Sequence, residues 1–440
     1  MSLDARQTEV QPLTTAQALE ATFRSAERRD GLGLVGLEHE KLLCPIDGTG
    51  AVSYEGPGGV GALLESFLPD GWEPFREAPS LPVIALTKGR VTISLEPGGQ
   101  FELSGAPYPT AREAHAENVE HLARLKRLTG LVGQRIVGLG YRPFLRLAEM
   151  PWMPKSRYGA MQQTLGTRGS HALNMMLMTT TAQVSLDWRD EADCARKVTA
   201  AARMTPVTVA LFANSPIVEG AVSGFQSFRS RVWNDVDPAR CGTPSFMLDG
   251  SFSYRKYVSW ALEAPLLFLR RDGKYLTPKL TFGQLLANGF DGKPALDTDW
   301  VDHLSTLFPE VRIKRVLEVR SADAVDGPMT GALAALMRGL LYDRQAVDEL
   351  TAATAMTVEQ HRALHGAAQR EGLSAKGLLG LARDVVSIAT SGLSRLDPAD
   401  LPLLAPLEAV VASGRSPAVR VQEAFVARTS DSAFLQQFAF

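Results

Sequence analysis

The sequence predicts an α+β fold. It reads as one large domain over residues 1–440, with an antiparallel sheet and a helical C-terminal part over 331–440. Three observations lead there. Four segments alternate with period two, so each has one apolar and one polar face. Such one-sided alternation favours antiparallel strands, because buried parallel strands read as continuous apolar runs. Between and after these segments the apolar residues recur at helical spacing, and no long linker, repeat or low-complexity tract divides the chain.

Composition narrows the class. A chain of 440 residues can bury a large core, and 45% hydrophobic with 21% charged residues is a globular balance. Lys plus Arg is 46 against 48 for Asp plus Glu, so no basic excess addresses nucleic acid and no polybasic block addresses a membrane. No stretch has transmembrane length, and MSLDARQTEVQPLTTAQALE has no signal-peptide core, so a cytoplasmic protein is expected. Cys44, Cys194 and Cys241 form no CxxC pair, which speaks against a zinc site or a disulfide framework.

In chain order, residues 1–12 read as a loose terminus and Leu13 to Arg29 as a helix capped by Thr14 or Thr15. Gly31 to Leu43 is a strand with Leu34, Gly36, Glu38 and Glu40 on one face. Gly56 to Leu68 is a Gly-rich turn entering a helix. It lacks the Gly-Lys-Ser/Thr of a phosphate loop. Residues 90–103 read as one central strand that Pro97-Gly98-Gly99 bulges or kinks. Thr110 to Thr129 is helical, with His115 and His121 expected to be solvated. Ile136 to Tyr141 is a short strand, and 143–170 a long irregular connection. Met176 to Trp188 is a strand showing Thr181, Gln183 and Ser185 on one face. Asp190 to Phe212 is a helix that Pro206 kinks or ends. Shorter helices start near Ser253, Thr281 and Trp300. Val311 to Ser321 is the last strand, with Arg312, Lys314, Glu318 and Arg320 on its even face.

The polar faces gather Glu38, Glu40, Glu96, Glu102 and Glu318 with Gln100, Gln183 and Arg320. Carboxylates crowded on one surface cannot all stay ionised without cations. Magnesium prefers such oxygen ligands, and about two or three ions together point to a nucleoside triphosphate. The pattern therefore predicts an ATP- and magnesium-dependent enzyme. The bland alternative is a set of solvated strand faces.

Longer strings go further. Glu38-His39-Glu40-Lys41, Ile93 to Pro107 (ISLEPGGQFELSGAP), Leu211 to Pro216, Phe228-Arg229-Ser230, Asp299-Trp300, Phe308 to Arg312 (FPEVR) and Leu317 to Asp323 (LEVRSAD) resemble glutamate–cysteine ligases of the plant and proteobacterial type. The resemblance implies a cup-shaped, mainly antiparallel sheet wrapped by helices, the glutamine-synthetase-like catalytic fold. It implies ATP, L-glutamate and L-cysteine as substrates and γ-glutamylcysteine, the first intermediate of glutathione synthesis, as product. The route passes through γ-glutamyl phosphate. Glu38, Glu40, Glu96, Glu102, Gln183 and Glu318 become metal-ligand candidates, with Gln100 behind them. Arg320 and Glu102 are placed at the chemistry. Arg229 would clamp a glutamate carboxylate, Tyr257 and Thr181 would touch substrate, and Lys155 and Arg157 would reach the ATP phosphates unless they are a surface pair. Met178 and Ser185 stand where the plant enzymes carry Arg and Asn, His171 has no obvious counterpart, and the plant regulatory cysteine pair is not evident.

Two other classes compete. One is a related ligase with another amine acceptor, or one supplying γ-glutamylcysteine to a thiol such as ergothioneine. The other is a non-catalytic binding protein on the same fold, against which the five intact acids argue. A monomer and a homodimer are both compatible with the sequence.

Overall fold

The computed structural model describes residues 11–31 and 33–440. Nine strands build one sheet: β1 (Val35–Pro45), β2 (Glu73–Phe75), β3 (Ala85–Lys88), β4 (Val91–Leu95), β5 (Phe101–Ser104), β6 (Gln134–Val137), β7 (Thr181–Leu186), β8 (Val311–Ile313) and β9 (Leu317–Asp323). Their order is β8-β9-β7-β1-β5-β4-β3-β2, and β6 pairs with the second half of β1. Every pairing in this sheet is antiparallel. The α+β expectation holds.

The helices that matter here are α1 (Ala16–Arg24), α2 (Ala111–Leu131), α3 (Ser156–Leu165), α4 (Ala172–Met178), α5 (Glu191–Arg203), α6 (Thr205–Leu211), α7 (Phe228–Trp233), α8 (Tyr254–Glu263), α9 (Asp297–Ser305), α10 (Gly327–Leu341), α11 (Val358–Glu371) and α12 (Leu378–Leu396). Their starts are written in the sequence. Thr15, Thr110, Ser253 and Asp326 each accept a backbone N–H from the first turn of the helix they precede. Pro206 occupies the first turn of α6, so it starts a new helix instead of kinking one. α10 is buried along almost its whole length and packs against α2, α12 and the strands β1 and β7. The apolar sides of Leu37, Val184, Val319 and Ala182 meet this helical layer in one core.

Several boundaries differ from the sequence reading. Residues 90–103 are not one kinked strand but the hairpin β4–β5. Glu96 N–H donates to Gln100 O at 3.0 Å, and Gly99 N–H to Glu96 O at 2.9 Å. Gly99 has φ 80, and a Cβ on Gly98 would collide with the Leu177 backbone, so the turn needs both glycines. Residues 311–321 likewise fold back as the hairpin β8–β9. The connection 143–170 holds α3, and the expected strand from Met176 starts only at Thr181, because 172–178 is helical. Of the expected loose terminus, residues 1–10 lie outside the described residues, while Pro12–Leu13 pairs with Ala295–Leu296. His121 is buried, not solvated, with ring centroids 6.1 Å from both Phe67 and Phe101.

His39 lies between Glu38 and Glu40 and faces the helices. Its Nδ1 is 3.2 Å from Asn118 Oδ1 and its Nε2 3.1 Å from Val325 O. Burial, then the Lys41 charge, pushes it well below its ordinary value of 6.5. The unfolded chain takes up a proton near 6.5 and the fold does not. This stability is therefore complete above pH 6.5 and lost as pH falls, at about 1.4 kcal/mol per pH unit. His39→Gln should lower the melting temperature at pH 8, flatten its decline below pH 6.5 and leave magnesium affinity unchanged. Calorimetric melting across pH with and without the ion checks this. A large loss of magnesium affinity would place His39 on the wrong face.

Candidate active site

Strand register creates the site. Glu40 pairs directly with Glu102, Glu38 with Gln183, Ser94 with Glu102 and Glu318 with Ser185. These side chains share the face turned away from the helical core. On that face a cleft, open to solvent, is lined by Glu38, Glu40, Glu96, Gln100, Glu102, Thr181, Gln183, Arg229 and Arg320. α3 and α4 cover it with Arg157, Tyr158, Met161, Met175 and Met176, and α7 adds Trp233. Arg312, Lys314, Ser305 and Phe308 complete the wall.

The acids are under strong mutual repulsion. Burial, then the Glu102 charge, pushes the Glu96 carboxyl up to about 7. Burial, then Glu96 and Glu102, pushes Glu40 well up, against the pull of Arg229 and Arg320. Burial opposes the Glu102 charge, while hydrogen bonds from Ser104 and from the Glu96 carboxyl favour it. Glu96 and Glu102 thus share a hydrogen bond that needs a proton. That proton stands where a divalent cation would act, so the donor set fits magnesium. Among the described residues no three His, Cys, Asp or Glu side chains already converge on a metal position. Magnesium tolerates this, since it takes few carboxylates and completes its octahedron with water and substrate phosphate.

The cations occupy the other wall. Arg229 is 3% exposed; its Nη2 donates to Arg320 O at 3.0 Å and its Nε has no partner. Arg320 Nη1 donates to Gln183 Oε1 at 2.6 Å. Both guanidinium carbons lie over the Trp233 ring, at 5.8 and 5.7 Å from its centroid. Gln100 is a brace: its Nε2 donates to Met176 O and Thr179 O, and its Oε1 accepts Gly98 N–H. Thr181 lines the cleft but donates its hydroxyl to Ala322 O at 2.7 Å, which leaves its oxygen to accept.

Three of the expected residues stand away from the open cleft. Glu318 does not line the cleft. It is 1% exposed, with Arg312 Nε at 2.5 Å, Lys314 Nζ at 2.6 Å and Arg320 Nη1 at 3.6 Å. Three cations surround it there. Tyr257 is fully buried among Phe23, Phe252 and Trp260, and its hydroxyl accepts the Ile313 N–H at 3.4 Å. It belongs to the core. Lys155 is buried behind the cleft, with Nζ 3.5 Å from Tyr158 Oη. Its charge acts on Glu96 and Glu102, while Arg157 does reach the cleft. The reading assigned Trp233 no role, although it stands four residues after Arg229 on α7 and so shares its face. The methionines gave no signal, because apolar residues at helical spacing read as core. His171 meets Asp235 at 3.1 Å on the rim of α7.

The sequence model of Glutamate-cysteine ligase family 2 matches residues 34–433. The chain belongs to that family. It is 39% identical over 401 residues to the chloroplastic glutamate–cysteine ligase of Brassica juncea, covering 89% of this chain and 77% of that one. The chloroplastic enzyme of Arabidopsis thaliana is 38% identical over 401 residues, with 89% and 76% covered. Among solved structures, glutamate–cysteine ligase from Francisella tularensis in complex with AMP aligns with a TM-score of 0.59 at 12% identity, over 94% of this chain and 88% of that chain. A bifunctional glutathione synthetase from Pasteurella multocida aligns at 0.51 and 14% identity, over 96% and 53%. At these identities the likeness concerns the fold alone. It agrees with an antiparallel sheet bearing its site on the polar face.

Because Glu96 holds its proton up to about pH 7, a divalent ion bound there must displace it below that pH. Calorimetric titration of magnesium with a non-hydrolysable ATP analogue, in buffers of different ionisation enthalpy, should show more proton release at pH 6 than at pH 8.5, the difference being the Glu96 proton. Equal release at both would mean that the ion does not meet Glu96. Glu102→Gln should cut kcat by roughly two orders of magnitude or more, since it removes a charge from the cluster.

Proposed function

We propose that the chain joins the γ-carboxyl of L-glutamate to the amine of L-cysteine, driven by ATP, and releases γ-glutamylcysteine, ADP and phosphate. Residues 1–440 then act as one catalytic unit, in the cytoplasm. Among the described residues no helix is long and apolar enough to cross a membrane, while the plant relatives are named as chloroplastic. The observation that carries the reading is Arg229: a buried guanidinium that ion-pairs with no acid among the described residues, facing a cleft whose opposite wall is acidic. An arginine left in that state awaits an anionic substrate, and its planar fork matches a carboxylate.

A carboxylate is a poor acyl donor, so it is first phosphorylated, and the amine then displaces phosphate. Bringing two anions together requires positive charge fixed in advance. Arg320, held by Gln183 and Glu318, faces the transferring phosphate. Arg157 faces the remaining phosphates of the nucleotide; the Francisella neighbour was solved with AMP. Glu38, Glu40, Glu96, Glu102 and Gln183 would hold magnesium, which screens phosphate charge when bound. Two or three ions fit the number of acids. Thr181 accepts a hydrogen bond from a substrate ammonium group. Met161, Met175 and Met176 present soft, polarisable surface beside Trp233, suited to a thiol-bearing side chain.

The deciding experiment offers ATP, glutamate and a panel of amines to the purified chain, with phosphate release and product mass as readouts. Cysteine should be the preferred acceptor, and excess chelator should abolish turnover. Preference for another amine would overturn the acceptor assignment. Arg229→Lys should raise the KM for glutamate at least tenfold, as expected for about 1.5–3 kcal/mol of charged hydrogen bonding, with little change in the KM for ATP.

A further inference from the structure

β9 ends on a carboxylate that simple alternation sends to the wrong face. The strand pairs with β7 through Glu318↔Ser185 and Val319↔Val184, then slips by one residue and resumes as Ala322↔Ala182 and Asp323↔Thr181. A one-residue slip exchanges the faces of every later side chain. Asp323 therefore stands beside Thr181, on the cleft side of the sheet with Arg320. It is 1% exposed, and it ion-pairs with no cation among the described residues.

Its oxygens are committed to one short segment and one short helix. Oδ1 accepts Ser227 Oγ–H at 2.7 Å. Oδ2 accepts Ser215 Oγ–H at 2.6 Å and Asn214 N–H at 2.8 Å. The two serines pass this hold onward. Ser227 is the N-cap of α7, and its Oγ accepts Ser230 N–H at 3.2 Å. Ser215 Oγ accepts the N–H of Arg229 itself at 3.0 Å. Each hydroxyl donates to Asp323 and accepts from the first turn of α7, so its direction is fixed by the carboxylate. The guanidinium of Arg229 closes the circuit by donating to the Arg320 carbonyl, three residues before Asp323 on the same strand. Of the groups that oppose the effect of burial on the Asp323 carboxyl, the Arg229 charge comes first.

We propose that Asp323 is the positioning residue for glutamate recognition: through Ser215 and Ser227 it fixes the backbone of Arg229, so that the guanidinium meets the substrate carboxylate at a set distance from Arg320. The proposal rests on Arg229 as the glutamate clamp. A six-residue helix has little rigidity of its own. Without this anchor the arginine keeps its charge and loses its place, and a displacement of about 1 Å can cost up to a hundredfold.

The test is a double-mutant cycle in steady-state kinetics on the full chain. Asparagine at 323 keeps the shape but turns an N–H₂ group towards donors that need an acceptor. Asp323→Asn should raise the KM for glutamate roughly tenfold and change the KM for ATP by less than about twofold. In an Arg229→Lys background the same substitution should add less than about twofold, because the group it positions is already gone. Equal rises in both KM values, or the full effect persisting in the Arg229→Lys background, would overturn the proposal and leave Asp323 a general support of the fold. If Arg229→Lys leaves the glutamate KM unchanged, the clamp reading itself fails, and this proposal with it. Should Asp323→Asn not accumulate folded, Ser215→Ala removes only the hydroxyl beneath the Arg229 amide. An unchanged glutamate KM in that variant would also overturn the proposal.

Discussion

The site depends on one constraint: the buried Glu102 and the half-buried Glu40 and Glu96 crowd one sheet face, and their charges cannot all persist unaided. Backbone register sets Glu40 against Glu102. Directly opposed side chains sit about 5 Å apart, and at an effective dielectric of about 20 two such charges repel by roughly 3 kcal/mol. The hydrogen-bond ladder on both sides keeps the strands from relaxing. The isolated chain answers with protons, raising Glu96 and Glu40. A divalent cation answers better, because it offers two charges at one point and accepts oxygen ligands from both strands. The surrounding cations follow from the same need. Lys155 and Arg157 lower Glu96 from one side, and Arg229 and Arg320 lower Glu40 from the other.

The opposite wall solves the inverse problem. Arg312, Lys314 and Arg320 gather on one wall, and three cations also repel. Glu318 lies beneath them and is held ionised by them, although burial opposes its charge. Removing one partner of such a buried cluster exposes the others to an uncompensated charge. Trp233 contributes in another way. Its ring lies near both Arg229 and Arg320, and the negative face of an aromatic ring attracts guanidinium groups. Two arginines can therefore stay close before any anionic substrate arrives.

Much of this was legible in the sequence, and the reason lies in parity. Both segments read as single strands are hairpins, yet their even residues still share a face. In β4–β5, Ser94 pairs with Glu102 about a turn centred on Gly98. In β8–β9, Arg312 pairs with Glu318 about Arg315. In each case even positions oppose even positions, so folding the strand back changes the topology and preserves the face. The acids and Arg320 were found for that reason. Where the register slips by one, before Ala322, the rule fails, and Asp323 was left without a role although it was part of a recognised string. Tyr257 failed differently. On α8, Tyr254, Tyr257 and Ala261 share the buried side, and a tyrosine on a core face finds a backbone partner, here the Ile313 amide. α3 and α4 were hidden because they are short, α3 with an internal glycine and α4 apolar nearly all round, with no strong stripe.

The division of labour between elements has a physical logic. Glu38, Glu40 and Glu102 stand on strands, whose spacing is set by backbone hydrogen bonds, and Glu96 follows directly at the β4–β5 turn. Their separation is therefore built in, at a value that needs a cation. Arg157 and Arg229 stand on short helices, where long side chains can adjust their reach. Arg320 lies between these cases, anchored on β9 but braced by side chains of β7 and by Glu318. A site made only of strands would hold charge rigidly and recognise substrate poorly. One made only of short helices would adapt, but could not keep three acids together against their repulsion. Joining α7 to the end of β9 lets the adaptable part take its position from the rigid one.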